Sequence, residues 1–382
     1  MTFYLTEQLN ITYITLMKTT HILTAVLMLL ACTTLQAQQQ EGRRMRVYAV
    51  AFYNLENLFD TIHDVRYEMV DGQQQKVEDK NDYEYLPDGG NQWGTMKYRS
   101  KLHNMARVLS DLAQDRLPWG VSVVGVSEIE NRRVLEDLLK EPELADRGWQ
   151  IVHEEGPDRR GVDCAFFYNP RFFKYESHKL VQYVYPEGET EHKTRGFLVM
   201  SGWLGGERTH LIVNHLPSRG ATSFYRELGG TQIRAIKDSL QRTEPESHII
   251  IMGDMNDDPD DKSMAVSLGA KRKQTDCQPQ DLWNPWWDVL RKQGVGTLKY
   301  NGKWNLFDQI IMTGTLLHKD PARLRFLRQE VFNRDYLLQQ EGQFKGYPRR
   351  THAGGVWLNG FSDHLPTIIY IGKEAVHESP RR

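Results

Sequence analysis

Between residues 45 and 372 the chain alternates short apolar runs with stretches of helical periodicity. The runs MRVYAVAFY (45–53), GVSVVGVS (120–127), VDCAFFY (162–168), FLVMSGWL (197–204), THLIVNH (209–215), HIIIMG (248–253), FDQIIM (307–312) and LPTIIYI (365–371) are bounded by Gly, Asn, Asp or Pro. Their β-branched content and length predict strands, and their nearly unbroken apolar character predicts strands covered on both faces. Apolar side chains spaced three and four apart predict helices over 98–112, 132–139 and 224–241.

This order predicts a layered α/β domain with helices outside the sheet material. No repeat and no long linker divides residues 45–372, so they read as one domain followed by a polar tail at 373–382. Residues 66–95 are polar and acidic with a double glycine, and read as a surface excursion. Trp283, Trp286, Trp287 and Trp304 crowd residues 275–305. Rings at that density pack beneath a loop; a wall facing a substrate is the other reading.

The composition, 40% hydrophobic and 26% charged over 382 residues, supplies material for a sizeable core. Formal net charge is −2, and removing residues 1–37 takes away one acid, Glu7, and one base, Lys18. No global basic field therefore exists to attract long nucleic acids. Lys18 before ILTAVLMLLA, with Ala37 as the small residue before the expected cut, marks residues 1–37 as an export signal, for which Met17 offers an alternative start. The apolar run is too short for a membrane span, which needs roughly 20 residues. The expected destination is periplasmic or extracellular; lipidation of Cys32, with a membrane anchor, is the alternative. Cys164, inside an apolar run, reads as a buried hydrophobe, and whether it pairs with Cys277 stays open.

Polar residues with metal or phosphate chemistry recur where the strands end. Asn54 follows VAFY, Glu128 follows VVGVS, Asn214 and His215 close LIVNH, Asp254 and Asn256 follow IIIMG, Asp308 opens DQIIM, and Asp363 with His364 precedes LPTIIYI. Each alone reads first as a turn former or a helix-start acid. Together, without a Ser or Cys nucleophile motif, they are the inventory of a hard-cation phosphate site. In extended backbone Asp254 and Asn256 point the same way while Met255 packs, with Gly253 allowing a tight turn.

The blocks YNLENLFD, SEIEN, RRGVDCAFFY, VNHLPSR, MGDMND, WNLFDQIIM and FSDHLP, in that order, resemble the endonuclease/exonuclease/phosphatase superfamily that includes deoxyribonuclease I, over about residues 45–372. The likeness is greatest to exported bacterial members. It implies a four-layer sandwich, two mainly antiparallel central sheets flanked by helices. It also implies Mg²⁺, with Mn²⁺ as a substitute, on Glu128, with Asn54 and Asp363 as further ligands. By the same resemblance Asp308 orients His364, and His215, Asp254, Asn256 and His364 act on the phosphate. Asn54, Arg160 and Asn214 contact the substrate, although Arg159 fits the position of Arg160 equally well. The active-site tyrosine of the AP endonucleases has no clear counterpart.

The expected activity is hydrolysis of a phosphate ester by activated water, in a nuclease or general phosphodiesterase acting on nucleic acid, with no obligate protein partner. A sphingomyelinase-like or inositol-phosphate esterase, using the tryptophan-rich stretch as an apolar wall, is the alternative. A noncatalytic binding module on the same scaffold is the third reading.

Overall fold

The computed structural model describes residues 45–189 and 193–375, so the expected signal at 1–37, Cys32 and most of the polar tail lie outside the described residues. In chain order the sheet strands are β1 (Met45–Leu58), β2 (Val123–Ile129), β3 (Gln150–His153), β4 (Asp163–Tyr168), β5 (Phe173–Val181), β6 (Phe197–Leu204), β7 (Glu207–His215), β8 (His248–Asp254), β9 (Ala270–Lys271), β10 (Leu282–Trp283), β11 (Asp308–Thr313), β12 (Arg325–Val331) and β13 (Thr367–Glu374). One sheet has the order β12-β13-β1-β2-β4-β3, the other β9-β10-β11-β8-β7-β6-β5. Most pairings are antiparallel, with β1 parallel to β2, β7 to β8 and β9 to β10. The main helices are α1 (Thr95–Asp111), α2 (Arg132–Leu139), α3 (Ser223–Thr243) and α4 (Trp287–Gln293).

Strand alternation sorts the apolar residues into layers. Ala49, Ala51 and Tyr53 of β1 face Leu102 and Met105 of α1 and Leu135 of α2. Val50 and Phe52 turn the other way, onto Leu211 and Val213 of β7 and Ile250 and Met252 of β8. Ile249 and Ile251 of β8 then face Ile233 of α3. The result is helix, sheet, sheet, helix, the four-layer sandwich expected. Each fully buried aliphatic or Phe side chain stabilises it by about 1.5–3 kcal/mol. At the start of α2, Asn131 caps the helix by accepting from the Val134 amide at 3.1 Å.

Two glycines set how closely strands approach. A Cβ on Gly125 would lie 2.6 Å from Met252 Sδ, across the space between the sheets. Gly253 does not make the tight turn expected of it. It lies inside β8, and a Cβ there would sit 2.2 Å from the Asn214 carbonyl oxygen on the paired strand.

Other differences have local causes. β1 runs on to Leu58 through an irregular stretch that holds Glu56 and Asn57 at φ of 47° and 52°. β5 and β12 were not expected because they are edge strands with half-exposed, charged sequences that lack an apolar run. The 66–95 excursion contains a hairpin, Val65–Val70 paired with Gln73–Asp79, and then inserts Trp93 fully into the core. Trp283 and Trp286 are buried between the sheets, and Cys164 and Cys277 are free thiols, the first buried.

Replacing Gly253 by Ala is expected to destabilise the domain by roughly 1–3 kcal/mol, because backbone rather than a flexible side chain blocks the new methyl. Urea unfolding that leaves the midpoint unchanged would contradict this packing.

Candidate active site

The site lies where β2, β7 and β8 end and antiparallel β11 begins, beside the irregular last part of β1. Glu128 has φ 59°, a left-handed conformation costly for a residue with a side chain, and it sits at a break in register between Ser127 and Ile129. That bulge re-aims Glu128 out of the strand alternation and into a cleft. Its Oε2 accepts from the Asn57 amide at 3.0 Å. Its Oε1 has two nitrogens just beyond hydrogen-bonding reach, Arg160 Nη2 at 3.6 Å and His215 Nε2 at 3.8 Å. Glu128 Oε1 thus remains available to a ligand.

Asp254 ends β8 directly opposite Asp308 of β11 and beside His215 of β7. Its Oδ2 accepts from Asn54 Nδ2 at 3.0 Å and lies 3.6 Å from His215 Nε2 and 3.7 Å from His364 Nε2. Its Oδ1 accepts from the Asn256 amide at 2.9 Å. Burial pushes the Asp254 carboxyl up to about 7, against the opposing pull of His364. His364 Nδ1 pairs with Asp308 Oδ2 at 2.7 Å. Burial disfavours its charge, but Asp308 and Asp254 outweigh that and hold the imidazolium well above the ordinary histidine range. His215 has no such partner. Burial first, then the Arg195 and Arg160 charges, keep it neutral well below the usual value, and its Nδ1 has no hydrogen-bond partner. The Nε2–H tautomer, facing the carboxylates, is the one these surroundings favour.

Glu128, His215, Asp254, Asn256, His364 and Arg160 all line one cleft of about 390 Å³. Asp308 lies directly behind His364. Asn54 is buried behind the cleft, and both ends of its amide are engaged: Nδ2 on Asp254, and Oδ1 accepting the Glu56 amide at 2.9 Å. Asp363 Oδ2 accepts from Arg350 Nη2 at 2.9 Å, and its Oδ1 is 4.0 Å from His364 Nε2.

Asn214 departs from expectation. Alternation along β7 turns it away from the cleft that His215 lines, and its Nδ2 donates to the Met252 carbonyl at 2.9 Å. Asn256 does reach the cleft, but not by strand alternation. It lies past the end of β8 at φ 51°, and its Nδ2 donates to the Leu216 carbonyl at 2.9 Å. Both Arg159 and Arg160 line the cleft, so the two candidates for that position share it. None of the tryptophans of 275–305 lines it, which removes the apolar wall on which the lipid reading relied.

A supporting network was missed. Glu56 accepts from Arg350 Nε at 3.1 Å and from the Thr351 amide at 2.6 Å, while buried Lys101 donates to Thr351 Oγ1 and the Phe361 carbonyl, each at 2.6 Å. Through Arg350 this network also holds Asp363. In the sequence Glu56 reads as one more polar residue after a strand, and Lys101 as the exposed face of α1. Nothing local announces their burial.

For a metal, the donors on the cleft are carboxylate and amide oxygens, the set a hard cation prefers. Asp254, Asp308 and His364 also have ligand atoms within 4.8 Å of one another. A protonated His364 bonded to Asp308 cannot ligate, so Glu128, with its open oxygen, is the better fit.

The Endonuclease/Exonuclease/phosphatase family profile matches residues 49–373, and the chain belongs to that family of phosphoester hydrolases. No curated protein matches it by sequence. Among solved structures, ANGEL2, a 2′,3′-cyclic phosphatase, is similar with a TM-score of 0.52 at 13% identity, covering 87% of this chain and 98% of that one. Its complex with adenosine-2′,3′-vanadate matches with a TM-score of 0.51 at 12% identity, covering 87% and 99%. A family protein from Bacteroides thetaiotaomicron has a TM-score of 0.49 at 13% identity, covering 89% and 100%. At these identities the likeness to solved structures is one of fold.

Asp308→Asn removes the charge that favours the imidazolium. The His364 titration midpoint is therefore expected to fall in ring-nitrogen NMR of the metal-free protein. An unmoved midpoint would show that Asp308 does not hold the proton on His364.

Proposed function

We propose that this protein is a metal-dependent phosphodiesterase that cleaves nucleic acid or nucleotide esters with an activated water. One observation carries the reading: residues from separate strand ends and loops, Glu128, His215, Asp254, Asn256 and His364, border a single polar cleft. Asp254, lifted toward neutrality by burial, is suited to take a proton from water at working pH. His364, kept protonated by Asp308, and neutral His215 donate to the phosphoryl oxygens as negative charge builds there. Asn54 orients Asp254, and the Asn256 amide does the same from the other carboxylate oxygen. Glu128 would hold Mg²⁺, or Mn²⁺ in its place, with Asp363 as a further oxygen donor; Asn54, expected as a ligand, has its amide oxygen occupied by the Glu56 amide and acts on Asp254 instead. A bound ion would supply charge neutralisation at the phosphate and leaving oxygen.

Glu128→Gln is expected to lower metal-dependent hydrolysis of bis(4-nitrophenyl) phosphate by on the order of 10³-fold, with thermal unfolding close to the parent. Chelation should abolish turnover, and Mg²⁺ or Mn²⁺ should restore it. Near-normal turnover by the variant would reject Glu128 as the metal carrier. Comparing plasmid DNA, single-stranded DNA, RNA, sphingomyelin and inositol phosphates separates the branches; head-group release without cleavage of any nucleic acid would reject the nucleotide reading. We also propose export, with residues 1–37 removed. Intact-mass measurement of secreted protein is then expected to place the mature start at Gln38, whereas a start at Cys32 carrying acyl mass would mean lipidation.

A further inference from the structure

A hairpin, Leu298–Tyr300 paired with Lys303–Asn305, starts directly beside His364. Leu298 bridges His364, and the Leu365 amide donates to the Thr297 carbonyl at 2.8 Å. Its turn is Asn301-Gly302, with φ of 46° and 78°, the pair that a tight two-residue hairpin favours. At this far end Tyr300 and Lys303 stand opposite each other and share one face, while Lys299 and Trp304 share the other. The first face also carries Asn305, whose Oδ1 accepts from Arg219 Nη1 at 3.5 Å. Arg219 Nε donates in turn to the carbonyl of Asn256, which lines the cleft, so this face leads outward from the reacting groups.

The tip is firmly held. Gly302 N–H donates to Tyr347 Oη at 2.6 Å, and the Lys299 ammonium lies 5.3 Å from the Trp304 ring centroid and 4.9 Å from that of Tyr347. Tyr347 belongs to the loop 339–347, where Phe344 stands edge-on to it with centroids 5.4 Å apart. Yet Tyr300 and Phe344 are 68% and 56% exposed. A rigid support that leaves two large rings in water is unfavourable for the chain alone, and lowers the ordering cost for a partner that covers them.

The charge around these rings is positive. Residues 295–305 and 338–350 carry Lys299, Lys303, Lys345, Arg349 and Arg350 against one acid, Glu341. Glu341 borders a cavity together with Arg349, and Arg350 is committed to Glu56 and Asp363. Near the base of the hairpin, Asp257, Asp258, Asp260 and Asp261 are matched by Arg219, Arg226 and Arg291. Lys303 and Lys345 make no ion pair among the described residues.

We propose that this ridge docks single-stranded nucleic acid: bases flanking the scissile phosphate stack on Tyr300 and Phe344, while Lys303 and Lys345 meet the phosphates between them. Exposed rings accept the faces of unpaired bases and neighbouring cations accept the backbone, whereas in a duplex those faces are stacked on one another. The proposal rests on the nucleic-acid reading of the cleft and adds to it the form of the substrate, an unpaired strand long enough to run from His364 past the hairpin tip.

Fluorescence anisotropy on the mature protein in EDTA measures binding without turnover. A labelled oligothymidylate of about 12 residues, within the footprint of such platforms, is expected to bind more tightly than a thymidine dinucleotide. The double variant Tyr300→Ala, Lys303→Ala should weaken the oligomer by roughly 10- to 100-fold, the range of one stacked base and one phosphate contact. Dinucleotide affinity and hydrolysis of bis(4-nitrophenyl) phosphate should stay near the parent's values, and Tyr300→Phe, which keeps the ring, should retain oligomer binding. Unchanged oligomer affinity in the double variant overturns the ridge, even if the variant loses affinity for phosphatidylglycerol vesicles, which would mark a membrane surface instead. An equal loss for the dinucleotide, or a duplex bound as tightly as the strand, overturns it too. If oligomer binding responds as expected but the parent cleaves no phosphodiester with Mg²⁺ or Mn²⁺, the docking surface stands and the proposed activity falls; cleavage of bis(4-nitrophenyl) phosphate without oligomer binding does the reverse.

Discussion

Asp254 and Asp308 face each other at the ends of two paired strands, almost without access to water, and His364 carries the positive charge between them. Two buried carboxylates at such a distance repel strongly, and desolvation raises the cost of ionising either. The imidazolium, the Asn54 amide and the backbone N–H of Asn256 offset that cost. The same balance leaves one carboxyl near neutrality and one imidazole protonated, so the arrangement that makes the cluster tolerable also separates an acid from a base. Neutral His215 completes the contrast, since it lacks the carboxylate partner that His364 has.

The sandwich makes this possible by bringing the ends of two sheets to one edge. Gly125 lets the sheets meet closely, and Gly253 lets β8 lie against β7 where Asp254 and His215 are side by side. Backbone strain is concentrated at the same place. Glu56, Asn57, Glu128 and Asn256 all adopt left-handed conformations around the cleft. Such residues cost on the order of 1–3 kcal/mol each and persist only where surrounding contacts enforce them. Here the enforcing contacts are visible: Asn57 donates to Glu128, Asn54 accepts from Glu56, and Asn256 is tied to Asp254 and Leu216.

Two kinds of segment border the cleft. Glu128, His215 and Asp254 belong to strands of the sandwich itself. The cations and tyrosines that border the rest of the cleft come from the loops between β3 and β4 and between β5 and β6 and from the start of α3, segments that can vary without disturbing the core. A formal net charge of −2 conceals this, because a few cations gathered at one place do not show in the total.

The sequence by itself determined the layers, because buried strands and amphipathic helices leave periodic patterns that do not depend on distant contacts. α2 begins and ends where its apolar spacing places it, and β8 is read directly from HIIIMG. It also determined which strand ends carry reactive groups. Edge strands β5 and β12 left no such pattern, since one side of each meets water. Only the tertiary structure decided that Asn214 turns away while His215 turns in, that Glu128 leaves its strand's alternation, and that Glu56 and Lys101 are buried. Those outcomes depend on register, bulges and partners hundreds of residues apart, as in the hydrogen bond joining Asn54 to Asp254, and no local spacing encodes them.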